Sequence, residues 1–284
     1  LKIIHDTLPE IKIIATGSSA LSLRQESGEP LTGRSRFFTM TPFSFSELVE
    51  NEDLLFASSK LENILRFGTY PDVYNKPEEY AIEELDNIAS NYLYKDVLQF
   101  ERLKKPEILY NLLKLLAFQI GSEVSLNELS NKLNVHVNTV KRYIELLENS
   151  FVIFGLSALS NNPRNEIGKN KKYYFYDCGI RNSIIRNFNP LTFRNDIGHL
   201  WENYFVSEMH KKNYNSGKLV NSFFWRNYQK KEIDYIEEYG GALKLFECKY
   251  SPNRKVKIPT DFKNNYTDYE FNVVSTENYW KFLE

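Results

Sequence analysis

The chain has 284 residues, 42% hydrophobic and 26% charged, which excludes a disordered tail or a collagen-like fibre and suits two domains or three small ones. Its 36 basic and 37 acidic residues leave a net charge of -1, so any nucleic-acid surface has to be a local patch. Cys178 and Cys248 lie far apart in apolar runs and read as reduced, buried thiols, and no CxxC or HExxH spacing suggests structural zinc. No apolar stretch approaches the roughly 20 residues of a membrane span, and no signal peptide is expected. A cytoplasmic protein with no membrane partner is expected. The chain also contains no GxxxxGK[ST] and no GxGxxG run, so by itself it is not expected to hydrolyse ATP.

The β-branched run Ile11–Thr16, ended by Gly17-Ser18-Ser19, predicts a buried strand of a parallel sheet, and Arg36–Met40 predicts another. Ser44-Phe45-Ser46-Glu47 is a capping box that should open a helix through Leu48 and Val49. From Leu54 the pattern is helical, with a break at Gly68-Thr69-Tyr70-Pro71. Pro77-Glu78-Glu79 opens a long helix with a stripe of Ile82, Leu85, Ile88, Ala89, Tyr92, Leu93 and Val97, and Pro106 opens the next.

Ser125-Leu126-Asn127-Glu128 is a second capping box, followed by a short helix to Leu133, a turn, and a helix over Asn138–Leu147 that buries Val140, Ile144 and Leu147. Strands are expected at Phe151–Leu156 and Tyr173–Tyr176, with a basic loop between them. Helix, helix, turn, helix and basic hairpin is the order of a winged helix-turn-helix. Asn138, Thr139, Lys141 and Arg142 on its second helix, and Lys169, Lys171 and Lys172 on its wing, are the candidate DNA contacts. Glu145 and Glu148 on the same helix would repel a phosphate backbone, which keeps a protein-packing role open.

The last segment predicts a helix over His199–Lys211, strands at Ser222–Trp225, Glu232–Glu237 and Ala242–Tyr250, a helical stretch at Asp261–Asn265 and a strand at Glu270–Ser275. Period two puts Glu247 and Lys249 on one strand face, a neighbouring strand can bring Asp234 beside them, and Glu202 can reach in from the helix. Carboxylates gathered this way suit Mg²⁺, with Asp234 and Glu247 as ligands, and a lysine could stabilise charge in phosphodiester cleavage. The set resembles the D…(D/E)xK core of the restriction-endonuclease-like fold, which makes Glu202, Asp234, Glu247 and Lys249 the candidate catalytic residues, active or degenerate.

The runs TGSSAL, LTGRSRFFTMTPFSFSELV, FGTYPDVY and YLYKDVLQ, and later YYFYDCGIRNSI, GHLWENYFVSEM, FFWR, EIDYI and LFECKY, resemble a prokaryotic family of AAA-superfamily ATPases. In that family a winged helix and a nuclease-like domain of unknown function follow the ATPase. The resemblance implies that Ser18 and Ser19 are nucleotide-sensing residues, that Arg34 is an arginine finger for a neighbouring copy, and that Walker A and B segments precede Leu1. Gly68-Thr69-Tyr70-Pro71 matches the family's glycine-proline lid signature, with Thr69 where glycine is usual.

The fold class that follows is multi-domain α/β plus all-α. Residues 1–50 would close an AAA core, 51–105 form a helical lid, 106–197 a winged helix-turn-helix and 198–284 a restriction-endonuclease-like domain. The expected function is the C-terminal portion of an AAA-type ATPase acting on DNA or a partner, with ATP and Mg²⁺ as cofactors of the intact protein and a homo-oligomer as its assembly. Two alternatives stand beside it: a binding module on a degenerate nuclease-like scaffold, and a Mg²⁺-dependent nuclease independent of ATP.

Overall fold

The computed structural model describes residues 2–8, 10–17, 35–91, 106–160, 170–252 and 254–284. Ser18, Ser19, Arg34 and Lys169 lie outside the described residues, as do Tyr92, Leu93 and Val97 of the long helical stripe. Helix α1 is Lys2–Thr7.

The strands expected at Ile11–Thr16 and Arg36–Met40 are not formed: both stretches are irregular and mostly exposed, with Ile14 at 89% and Met40 at 94%. A β-branched run becomes a strand only where a neighbour satisfies its backbone groups. Among the described residues no strand pairs with either run.

Regular packing begins at the first capping box. The Ser44 hydroxyl accepts the Glu47 N–H, and the Glu47 carboxylate accepts the Ser44 N–H, opening α2 over Phe45–Glu52. Short helices α3 (Leu54–Ser59) and α4 (Leu61–Phe67) follow, then α5 (Glu78–Asn91) and α6 (Pro106–Phe118).

Strand β1 (Glu123–Val124), α7 (Leu126–Leu133) and α8 (Val137–Asn149) precede the hairpin of β2 (Ile153–Ala158) and β3 (Lys171–Phe175). Val140, Ile144 and Leu147 are buried, as their spacing requires, against Leu109, Leu112 and Leu116 of α6. Strands β1, β3 and β2 make an antiparallel three-stranded sheet.

Helix α9 (Cys178–Ile185) leads through a 3₁₀ turn at Leu191–Phe193 to α10 (Ile197–Asn215). Trp201, Tyr204 and Phe205 of α10 are essentially inaccessible, each contributing about 2–3 kcal/mol of apolar burial. Strands β4 (Asn221–Arg226), β5 (Glu232–Tyr239) and β6 (Ala242–Cys248) form an antiparallel meander on which α10 packs. Helix α11 (Thr260–Asn265) covers the opposite sheet face with Phe262, and β7 (Tyr269–Val274) and α12 (Trp280–Leu283) end the chain.

β2 also pairs with β4, in parallel, at Ser157↔Phe223 and Ala158↔Phe224. One seven-stranded sheet therefore runs in the order β1-β3-β2-β4-β5-β6-β7. The sheet thus contains strands from both sides of residue 197, where the expected winged helix and nuclease-like domain meet.

A buried polar joint ties the start of α2 to the rest. Glu208 accepts the Phe45 N–H at 2.6 Å, and Lys211 donates to Glu208 at 2.8 Å, to the Phe43 carbonyl at 3.1 Å and to Thr69 Oγ1 at 3.4 Å. Asp177, the N-cap of α9, accepts the Thr69 N–H at 2.7 Å. Among the described residues no helix is long and apolar enough to cross a membrane.

Candidate functional site

The four residues of the nuclease-like set come from α10, β5, β6 and the residue after β6, and the β5–β6 hairpin sets their spacing. That hairpin turns at Gly240-Gly241 and pairs Tyr235 with Phe246, which carries Asp234 toward Glu247. The β4–β5 register slips between Phe223↔Ile236 and Trp225↔Ile233, so β5 accommodates an extra residue next to Asp234. The bulge lets Ile233 and Ile236 enter one apolar cluster, with Trp225, Leu245 and Phe262. Tyr235 packs instead against Phe205 and Phe246.

Asp234 Oδ2 accepts the Cys248 N–H at 2.8 Å. Lys249 Nζ stands 2.7 Å from Glu247 Oε1 and 4.0 Å from Asp234 Oδ2, so one lysine contacts both carboxylates. Glu202 Oε1 accepts from Lys172 Nζ at 3.0 Å and from the Tyr174 hydroxyl at 2.7 Å.

Burial raises the Glu202 carboxyl to about 7, an effect that Lys172 opposes and Asp234 reinforces. Glu247 is likewise raised to about 7, by burial first and then by Asp234, against the pull of Lys249. Burial acts to lower Lys172, but Glu202, Asp234 and Glu232 outweigh it and hold the ammonium above the ordinary lysine range. The same balance, with Asp234 and Glu247, raises Lys249. The centre therefore keeps its lysines charged and readily takes up a proton on a carboxyl group.

The geometry does not fit the expected Mg²⁺ ion. Among the described residues no three His, Cys, Asp or Glu side chains are grouped so as to hold a metal. The oxygens that would serve as ligands accept from Lys172, Tyr174, Lys249 and the Cys248 amide instead.

Lys172 also corrects the reading of the basic wing. It is fully buried, so it cannot meet a phosphate backbone. Alternation along β3 turns Lys171 outward and sends Lys172 inward beside Tyr174, and both inward residues bond the same Glu202 oxygen. The spacing of Lys172 and Tyr174 in KKYYF carried that signal, but the density of lysines in the loop before it masked it. Glu232 is the other member that sequence reasoning missed, at 3.8 Å from both Lys172 Nζ and Arg226 Nε.

On α8, Asn138, Lys141 and Arg142 are exposed and Thr139 is half-buried. Glu145 is exposed beside them, and the partly buried Glu148 interacts with Lys171. The joint of Phe43, Phe45, Thr69, Asp177, Glu208 and Lys211 is a separate polar centre, which shares helix α10 with Glu202. Thr69, the departure from the lid signature, uses its hydroxyl there, donating to the Phe43 carbonyl at 2.7 Å.

Three families match successive parts of the chain. Residues 1–49 match a family described as an AAA domain, 58–191 a domain of unknown function designated DUF8612, and 197–279 a domain of unknown function designated DUF4143. The chain is similar to an uncharacterized protein of Haemophilus influenzae, 25% identical over 235 residues covering 79% of this chain and 55% of that protein. It is also similar to an uncharacterized protein of Mycobacterium tuberculosis, 21% identical over 84% of this chain and 52% of that protein. A third, from Methanocaldococcus jannaschii, is 24% identical over 65% of this chain and 44% of its own length. The chain thus spans about half the length of the curated relatives it matches. No solved structure matches it. The chain is mixed α/β, and its matches are those of an AAA-like, ATPase-associated protein.

Proposed function

We propose that this chain is the output portion of an AAA-type ATP-binding protein, which receives nucleotide-driven motion through its N-terminal segment and acts on DNA through α8. The observation that carries the reading is the buried joint. The segment matching an AAA domain ends in α2, and the amide of Phe45 and carbonyl of Phe43 are held by Glu208 and Lys211 of α10. A displacement of residues 43–45 is therefore passed to α10 and, through Thr69 and Asp177, to α9. The order α6, β1, α7, α8, β2, β3 supports the winged-helix reading within residues 106–197. Ser18, Ser19 and Arg34 are the nucleotide-sensing residues of the proposal, and Glu202, Asp234, Glu247 and Lys249 form a degenerate nuclease-like scaffold with no cleavage step assigned to it.

The test is fluorescence anisotropy with a short DNA duplex. Binding is expected at low salt, with affinity falling linearly on a log–log plot as salt rises, because each phosphate contact releases a counterion. Lys141→Glu combined with Arg142→Glu should abolish it, and Lys171→Glu should weaken it less, since Glu148 already engages Lys171. No binding at low salt, or binding indifferent to the double substitution, would transfer α8 to a protein partner.

A further inference from the structure

The acidic centre already contains a cation. Lys172 Nζ lies 3.0 Å from Glu202 Oε1, 3.8 Å from Glu232 Oε2 and 5.3 Å from the centroid of the Phe224 ring, with its side chain fully buried. Asp234 acts on the same ammonium electrostatically. On the Glu202 side the main chain of Gly121 closes in so tightly that a Cβ there would stand 2.8 Å from Oε2. Arg226 continues the alternation of charge, 3.4 Å from Glu123 and 3.8 Å from Glu232. Lys249 performs the equivalent service for Asp234 and Glu247.

We propose that Lys172 is the resident counter-cation of this centre, a tethered ammonium brought in on β3 that closes Glu202, Asp234 and Glu232 to divalent metal and fastens β3 to α10 and β5. The chemistry follows from valence and reach. A divalent ion needs carboxylate oxygens at about 2.0–2.6 Å and strips them of other partners. An ammonium donates three hydrogen bonds at longer range and cannot leave, because its own chain holds it in place. Removing it would leave the buried Glu202 carboxyl without its cationic partner and open the space beside Glu232 and Asp234 to another cation.

The experiment compares wild type with Lys172→Met, of similar length and no charge, by thermal unfolding with and without Mn²⁺ as the only added probe. Wild type is expected to be indifferent to Mn²⁺. Lys172→Met should melt at lower temperature and regain about 5 °C at saturating Mn²⁺, a gain that a further Asp234→Asn removes. A folded Lys172→Met that ignores Mn²⁺ would overturn the proposal. So would saturable Mn²⁺ binding by wild type that Asp234→Asn abolishes, and this second measurement needs no Lys172 variant to fold. Because neither readout involves DNA, failure here leaves the α8 proposal standing, and the converse holds too.

Discussion

Gly179→Ala is expected to destabilise the protein by about 3 kcal/mol or more, the range of an overpacked core whose obstacle cannot rotate away. Gly179 is the second residue of α9, and a Cβ on it would stand 2.0 Å from the Phe67 carbonyl oxygen and 2.4 Å from its carbonyl carbon. The obstacle is main chain at the end of α4, so no rotamer change relieves it. Retreat of α9 is also blocked. Asp177 accepts N–H groups from both Thr69 and Ile180, and Asn182 donates to the carbonyls of Leu65 and Arg66 at 2.9 Å each. Moving α9 outward breaks that set, and moving α4 breaks it from the other side. Urea denaturation should show a large drop in midpoint at unchanged slope. Gly198→Ala, near the start of α10 with nothing within 4 Å of the added atom, is the control and should not lower the midpoint. Equal midpoints for the two variants would refute the close-approach argument.

Acidification from about pH 6.5 to pH 4 should cost the protein about 3 kcal/mol of stability through His210. The imidazole is stacked on Phe154 with ring centroids 4.3 Å apart, and its Nε2 lies 3.3 Å from the Tyr176 hydroxyl. Burial, with the neighbouring Lys211 charge second, lowers it from 6.5 to about 4. In that window the unfolded chain binds the proton and the folded chain does not, so stability rises with pH and is lost as pH falls.

Glu202 and Glu247 act in the opposite sense. Their folded values of about 7 lie above the ordinary 4.5, so their contribution declines as pH rises from 4.5 to 7. Comparing wild type with His210→Phe cancels these shared contributions. The difference in unfolding free energy between the two proteins should shift by about 3 kcal/mol from pH 7.5 to pH 4, with the variant gaining at the acid end. A difference independent of pH would mean that the ring is not held neutral.

Local signals carried most of the helical half. Ser44 and Glu47 announced α2, Pro106 announced α6, and the spacing of Val140, Ile144 and Leu147 announced the buried side of α8, because each depends on neighbours within one or two helical turns. The Glu247–Lys249 pairing was legible for the same reason, since alternation along a strand is local.

What could not be read depends on partners distant in sequence. Whether Lys171 or Lys172 turns inward depends on where β3 meets α10, whose Asn203 both accepts the Phe175 N–H and donates to the Phe175 carbonyl. The extra residue in β5 arises from its pairing with β4, and nothing within EIDYI marks it. Ile11–Thr16 shows the reverse failure, a run with the composition of a strand and no described neighbour to make it one.

The β2–β4 pairing has an evolutionary consequence. The family matches end at residue 191 and resume at residue 197, as if two cassettes had been joined there, yet the sheet crosses that seam. A chimera taking its second cassette from a relative would have to reproduce the pairing at Ser157 and Ala158, or leave the β2 and β4 edges bare and open to pairing with other chains. An exchange of one cassette therefore succeeds only where the incoming strand can take up the parallel pairing along that seam.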